Sequence, residues 1–381
     1  MKPMYSADGD GSGPAALVEL SRRYGAAGRY VLAGGGNTSW KNATDLYVKA
    51  SGHSLDGIGP EGFVRMRAPA LAAVLTADYP AESAAREAAV LADLEAAKYP
   101  GEEAKRPSVE TLLHGLFPFR FVVHTHPALV NGLTCSAEGE AGVRRLFGPD
   151  PLWIPVTDPG YVLALAVKKA IDARLAAGRS FPQVVYLQNH GVFVAADSVR
   201  EIDEIYAALM ARLEAEVAVD PADLAPAALA DPAAAAAWEA AIAAVYGLSA
   251  AVLPVATADL SRLMAAGAAE AALEYAFTPD HIVYFGYKPL YLRSPAELAA
   301  AVAAYESDDG RKPRIVVAHG LGAFACAATA KAAATARALF LDDLAIAAYT
   351  RSFGGHRFMP RANIEFIRHW EAEKYRSAVS N

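Results

Sequence analysis

Residues 119–130 read FRFVVHTHPALV. β-Branched and aromatic residues dominate up to the histidines, and Pro127 then withdraws a backbone donor, so a strand is predicted that stops at the proline. Alternate residues of a strand share a face, which sets His124 and His126 side by side, about 7 Å apart along the chain. That spacing suits two ligands of one metal. It also arises by chance, with the imidazoles satisfying core hydrogen bonds. A second stretch, PQVVYLQNHGVFVAA (182–196), reads as two strands around a Gly-containing turn. It carries His190 at the strand tip, where Gly191 relieves crowding. Three nitrogen ligands leave a coordination position open, as catalytic rather than structural zinc does.

Upstream lies PSVE (107–110). Ser108 is a candidate helix N-cap, which puts Glu110 in the first turn of a helix over 109–117. An acid there is favoured by the helix dipole alone. It is also placed to act as a general base. Two Gly-containing loops, Gly34-Gly35-Gly36-Asn37-Thr38-Ser39 and Ser51-Gly52, end predicted strands (YVLAGGGNTSW, 30–40, and LYVKASG, 46–52). Their backbone N–H groups and side-chain donors can cradle a phosphate, or they are plain turns. Lys41 and Lys49 flank them as surface lysines or phosphate partners. His53 reads as a loop residue that can approach substrate, and His114 as a packing residue on the face of Glu110.

Further helices are predicted over 15–28, 81–98, 161–178 and 198–217, and residues 1–14 are expected to be a flexible tail. Residues 218–238, AVDPADLAPAALADPAAAAAW, are the expected linker. Residues 239–381 form a second α/β unit, with strands at HIVYFG (281–286) and RIVVAHG (314–320) and a main helix over 325–349. Gly320-Leu321-Gly322-Ala323-Phe324-Ala325 fits a loose dinucleotide fingerprint, but a close-packed turn accounts for it better, since Asp342 and Asp343 fall inside a continuous helix. No internal repeat is evident.

The chain has 381 residues, 54% hydrophobic and 20% charged, with net charge −7, enough for about two domains with buried cores. The acidic balance and absence of a basic run argue against nucleic acid. The N-terminus lacks an apolar signal core, and the most apolar stretch (233–253) is too interrupted to span a membrane. Two distant cysteines form no disulfide framework. The expectation is a cytoplasmic protein.

The motifs AGGGNTS, VKASG, PSVE, VVHTHP and QNHG, in this order over about residues 15–217, resemble the class II aldolase/adducin family, typified by fuculose- and rhamnulose-phosphate aldolases. PRIVVAHGLGAF and SFGGHRFM…FIRHWEAEKYR resemble the segment that follows this module in bifunctional aldolase/dehydrogenase proteins, and the chain ends where their dehydrogenase would begin. The resemblance implies a three-layer α/β/α fold with a mainly antiparallel central sheet, assembled as a homo-oligomer, often a tetramer. It implies Zn2+, or Mn2+ or Co2+, on His124, His126 and His190, with Glu110 as acid/base. It implies phosphate contacts from Gly36, Asn37, Ser51, Gly52 and Ser108. Val109 stands where many relatives carry a second serine, a form shared by the fusion proteins. The family's catalytic tyrosine comes from a neighbouring subunit and shortly precedes a Pro-Gly pair. Here Tyr161 follows Pro159-Gly160, as a substitute or a helix-start residue.

The implied activity is cleavage of a ketose 1-phosphate to dihydroxyacetone phosphate and an aldehyde through a metal-stabilised enediolate. Glu110 needs a raised pKa to protonate it, which burial can supply. A sugar-phosphate dehydratase or epimerase uses the same residues. A non-catalytic adducin-like module would have lost the metal ligands, which this chain retains.

Overall fold

The computed structural model describes residues 13–247 and 251–371. Residues 1–12 of the expected N-terminal tail lie outside the described residues. The chain divides into two compact units. The first comprises residues up to Val130 and Glu140–Ala215, and the second takes Asn131–Gly139 and the chain from Glu216.

The first unit is built on seven strands: β1 (Asn37–Lys41), β2 (Asp45–Lys49), β3 (Phe63–Arg67), β4 (Phe121–Thr125), β5 (Leu152–Ile154), β6 (Val184–Leu187) and β7 (Gly191–Ala196). Their order is β3-β2-β1-β4-β7-β6-β5. Every neighbouring pair is antiparallel except β5 and β6. Alternation within β2 shows why helices cover both faces. Leu46 and Val48 enter one core with Leu112 and Leu113 of helix Thr111–Leu116 and Val167 of helix Tyr161–Ala176. Tyr47 points the other way, onto Leu17 of helix Pro14–Gly25. On that second face Tyr206, from helix Val199–Glu216, bonds the Thr125 hydroxyl at 2.8 Å. The result is the three-layer α/β/α arrangement.

The structure reverses one local expectation. The strand near the Gly-rich loop does not precede it but follows it, beginning at Asn37. Gly36 is held at φ 63°, and a Cβ there would meet Val31 Cγ1 at 2.4 Å and His124 O at 2.8 Å. The glycines thus turn the chain into the sheet. The expected cap is displaced from Ser108 to Glu110: the helix starts at Thr111 and Glu110 holds its N-cap position, while Ser108 Oγ accepts from the Glu110 amide at 3.2 Å.

The second unit holds β8 (Ala251–Val255), β9 (Leu290–Leu292), β10 (Ile315–Ala318) and β11 (Gly322–Ala327), in the order β8-β11-β10-β9. Helices Pro232–Tyr246 and Leu298–Asp309 supply Trp238, Ile242, Leu298 and Val302 to a core with Val316 and Phe324. Helix Pro232–Tyr246 begins within the expected linker, capped by Asp231, and buries Trp238.

HIVYFG is not a strand. It lies mostly in helix Pro279–Tyr284, where Pro279 suits the first turn and His281 is buried against Asp342 and Asp343. The long helix runs over Ala330–Thr350 rather than 325–349, because Ala325–Ala327 belong to β11 and Thr329 caps the helix through Ala332 N. Gly320 and Gly322 therefore make a strand–strand turn, not the strand–helix turn a dinucleotide fingerprint needs. Among the described residues, no helix is long and apolar enough to cross a membrane.

Candidate metal centre

The site begins where β4 ends beside the β6–β7 hairpin. Asn189 turns that hairpin at φ 56°. At Gly191 a Cβ would meet Thr125 O at 2.4 Å and His126 Cδ2 at 2.7 Å, so only glycine lets β7 come this close to β4. His190, one residue earlier, is thereby set against both His124 and His126. His124 pairs in register with Phe193 and stacks on its ring at 4.0 Å between centroids.

His124 Nε2 lies 2.8 Å from His126 Nε2 and 3.4 Å from His190 Nε2. Ligand atoms of all three fall within 4.8 Å of one another. His124 Nδ1 lies 3.0 Å from the Val192 carbonyl, which can only accept, so Nδ1 carries the proton and the Nε2 lone pair faces the cluster. Burial lowers the pKa of His124, and His126 adds to this, outweighing Glu110. Neutral imidazole is the form that ligates metal. Glu110 Oε1 completes the convergence, 3.2 Å from His124 Nε2 and 3.3 Å from His190 Nε2. Inward lone pairs and a carboxylate, gathered out of water, repel one another unless a cation or shared protons lie between them. The donor set therefore fits a divalent ion of the zinc type, whose tetrahedral ligands stand about 3.3 Å apart at Zn–N distances of about 2.0 Å.

The other carboxylate oxygen is held from behind. Glu110 Oε2 accepts from Asn37 Nδ2 at 2.6 Å. The same amide nitrogen reaches Ser108 Oγ at 3.1 Å. With its nitrogen so committed, Asn37 offers Oδ1 to the His114 Nε2–H, and His114 Nδ1 then accepts from the Ser39 hydroxyl at 2.7 Å. Burial, with Lys41 nearby, pushes His114 far below the usual histidine range, so it stays neutral in this chain. Lys41 is buried too, donates to the His114 carbonyl at 2.5 Å, and is pushed down to about 7 by desolvation.

Glu110 itself departs from expectation. Burial alone would raise its pKa, but His124, His190 and His126 together hold it well below the usual carboxylate range. At neutral pH its carboxyl is therefore ionised rather than held protonated.

The other predicted residues divide. Ser108 and Asn37 sit at Glu110 and are already bonded to it or to each other. The Ser51-Gly52 turn lies beside the Ser108 segment, through Ser51 N to Arg106 O and Ser108 N to Lys49 O. Lys49 is buried and ties that turn to the Gly-rich loop, donating to His53 O and Gly34 O. Tyr161 is placed in the apolar layer with Leu163 and Val167, edge-on to Tyr79 at 5.0 Å. That is the helix-start position within its own chain. The Ser39–His114–Asn37 chain was not foreseen. Its signals were Asn37 and Ser39 alternating on one strand face, and His114 one helical turn after Glu110.

The family model described as class II aldolase and adducin N-terminal domain matches residues 15–215. A protein named as an uncharacterised oxidoreductase, YuxG, from Bacillus subtilis (strain 168) is 25% identical over 168 residues, 42% of this chain. The match spans only 23% of that relative's length. The N-terminal class II aldolase domain of a Thermoplasma acidophilum protein shares 25% identity, with a TM-score of 0.46 over 56% of this chain and 96% of that one. L-Fuculose-1-phosphate aldolase from Thermus thermophilus shares 19% identity, with a TM-score of 0.33 over 52% of this chain and 90% of that one.

Proposed function

This chain belongs to the class II aldolase and adducin family, and from that premise we propose that it is a metal-dependent carbon–carbon lyase that cleaves a ketose 1-phosphate to dihydroxyacetone phosphate and an aldehyde. The observation that carries the reading is the cluster of His124, His126 and His190, with one oxygen of Glu110 against His124 and His190 and its other oxygen fixed by Asn37. A divalent ion on the three histidines supplies Lewis-acid polarisation of the substrate oxygens when bound.

The protein's own groups do the rest. Ionised Glu110 accepts a proton as the C3–C4 bond breaks and the C4 hydroxyl becomes the aldehyde. It then returns that proton to C3 of the enediolate, giving dihydroxyacetone phosphate. Asn37 and Ser108 hold the carboxylate at one angle throughout. The Ser51-Gly52 turn, with the loop at Gly36, receives the phosphate, so binding energy remote from the reacting bond is spent on positioning.

The test is metal analysis of purified protein, with a panel of ketose 1-phosphates assayed for dihydroxyacetone phosphate with and without chelator. The expected result is chelator-sensitive release from at least one substrate, and loss of turnover with retained metal in Glu110→Gln. A dehydrated ketose or an epimer as sole product overturns cleavage; protein that binds no metal overturns the centre.

A further inference from the structure

We infer that the second unit is a metal-free copy of the half of the first unit that carries the histidines, with the place of the metal closed by leucine, so that among the described residues a centre of this kind lies in the first unit alone. The absence of ligands in the second unit matters only if the first binds metal, so this rests in part on the function proposed above. The structural equivalence does not.

The two sheets match strand for strand. β4-β7-β6-β5 and β8-β11-β10-β9 have the same order and the same senses, with one parallel pair at the same end. The registers match residue for residue, at an offset that is constant within each strand. Val184↔Val194 and Leu187↔Gly191 in one hairpin are Ile315↔Ala325 and Ala318↔Gly322 in the other. His124↔Phe193 becomes Pro254↔Phe324. The connections follow suit, with helices Tyr161–Ala176 and Leu298–Asp309 each entering the first strand of a hairpin, and Val199–Glu216 and Ala330–Thr350 each leaving the second.

Loop bonds repeat as well. Gln188 N to Ile154 O at 3.0 Å answers to His319 N to Leu292 O at 2.9 Å. Ala195 N to Gln183 O at 2.8 Å answers to Cys326 N to Arg314 O at 2.8 Å. The positive φ of Asn189 (56°) recurs at Gly320 (77°). Gly191 and Gly322 are required for the same reason: a Cβ would strike Thr125 O in one unit and Val255 O, at 2.9 Å, in the other. The sequence hides this because few side chains persist across the hairpin, among them Val185 as Val316, Gly191 as Gly322 and Phe193 as Phe324. The reading that the chain contains no internal repeat is corrected here.

The equivalence converts the ligands directly. His124, His126 and His190 correspond to Pro254, Ala256 and Leu321. A Cβ on Gly191 would meet the His126 ring, whereas one on Gly322 would meet Leu229 Cδ2 at 2.3 Å. Leu229 and Leu321 pack on the unit's apolar core. No strands corresponding to β1–β3 occur among the described residues of this sheet, so there is no counterpart of Asn37.

The test is a graft in the full chain. Pro254→His, Ala256→His and Leu321→His are combined with Leu229→Ala, in a His124→Ala/His126→Ala parent, with Co2+ uptake read by elemental analysis and visible absorption. The copy predicts one Co2+ gained per chain over the parent. A control graft shifted by one residue, Leu253→His and Val255→His with Leu321→His and Leu229→Ala, should gain none, because alternate strand residues face away. If the full graft does not fold, Ala256→His with Leu321→His and Leu229→Ala leaves the edge strand intact, and at least tenfold tighter Co2+ binding than its parent is expected. Lack of gain in a folded graft, or equal gain in the shifted control, overturns the equivalence. More than one Co2+ per wild-type chain overturns the single centre. A wild-type chain that takes up no Co2+ overturns the proposed function and the single centre together, while the graft, read against its own parent, still decides the copy.

Discussion

At the residue scale, the clustering of His124, His126 and His190 was suggested by the HxH spacing but carried by the order of five motifs. The role of Asn37 was not legible. Its position in a Gly-rich loop pointed to phosphate, yet its partners Ser108, Glu110 and His114 come from a segment some 70 residues away, and only the fold brings them together. The two roles separate kinetically. If Asn37 orients Glu110, Asn37→Ala lowers kcat by about 10–100-fold with a smaller change in KM, since misplacing a reacting group costs about that much. A raised KM with intact kcat would return Asn37 to the phosphate. Gly191→Ala should cost both stability and metal, because the new methyl has to displace Thr125 O or the His126 ring; thermal unfolding with metal titration reads both, and unchanged affinity would contradict the close-approach argument.

At the scale of elements, most helices and the β6–β7 hairpin were readable from period and turn residues. The errors came where tertiary contacts overrode composition. HIVYFG has the β-branched and aromatic character of a strand, but Pro279 starts a helix there, and buried His281 is held 2.9 Å from Asp343 and 3.1 Å from Asp342. Burial opposes the charge on His281, but Asp343 and Asp342 outweigh it and push its pKa up to about 9. The folded state therefore keeps a proton that the unfolded chain, with histidine near 6.5, has already released. This contribution to stability is full below about pH 6.5, declines as pH rises, and is gone above about 9, a loss on the order of 1–3 kcal/mol. Denaturant melts of wild type and His281→Leu at pH 6.5 and 9.5 should show it as the difference between them, because the lowered pKa of Lys41 acts with opposite sign in both. In His281→Leu that component of the slope should be lost and stability fall by about 3–5 kcal/mol, since burial already pushes the Asp343 carboxyl up and it would lose its partner. An unchanged pH slope in that variant would remove His281 as its source.

At the scale of the whole molecule, the family and the three-layer first unit were recoverable from five short motifs in order, whereas in the second unit the dinucleotide-like motif proved to be a strand–strand turn. That unit's architecture was visible only as strand order and register, which sequence does not display when the side chains have changed. Two units with separate cores imply that metal acts on one of them. Excess Zn2+ at about 100 times its Kd should stabilise the first unit by about 2.7 kcal/mol and leave the unfolding of the second unmoved. Differential scanning calorimetry with and without chelator checks this, and a shift of both transitions would contradict it. The most direct test of the central claim needs no knowledge of the natural aldehyde. Metal-loaded protein is incubated with dihydroxyacetone phosphate in D2O, and deuterium at C3 is followed by NMR. The account predicts exchange that stops with chelator and with Glu110→Gln; no exchange by the loaded wild type, or undiminished exchange by the variant, would contradict it.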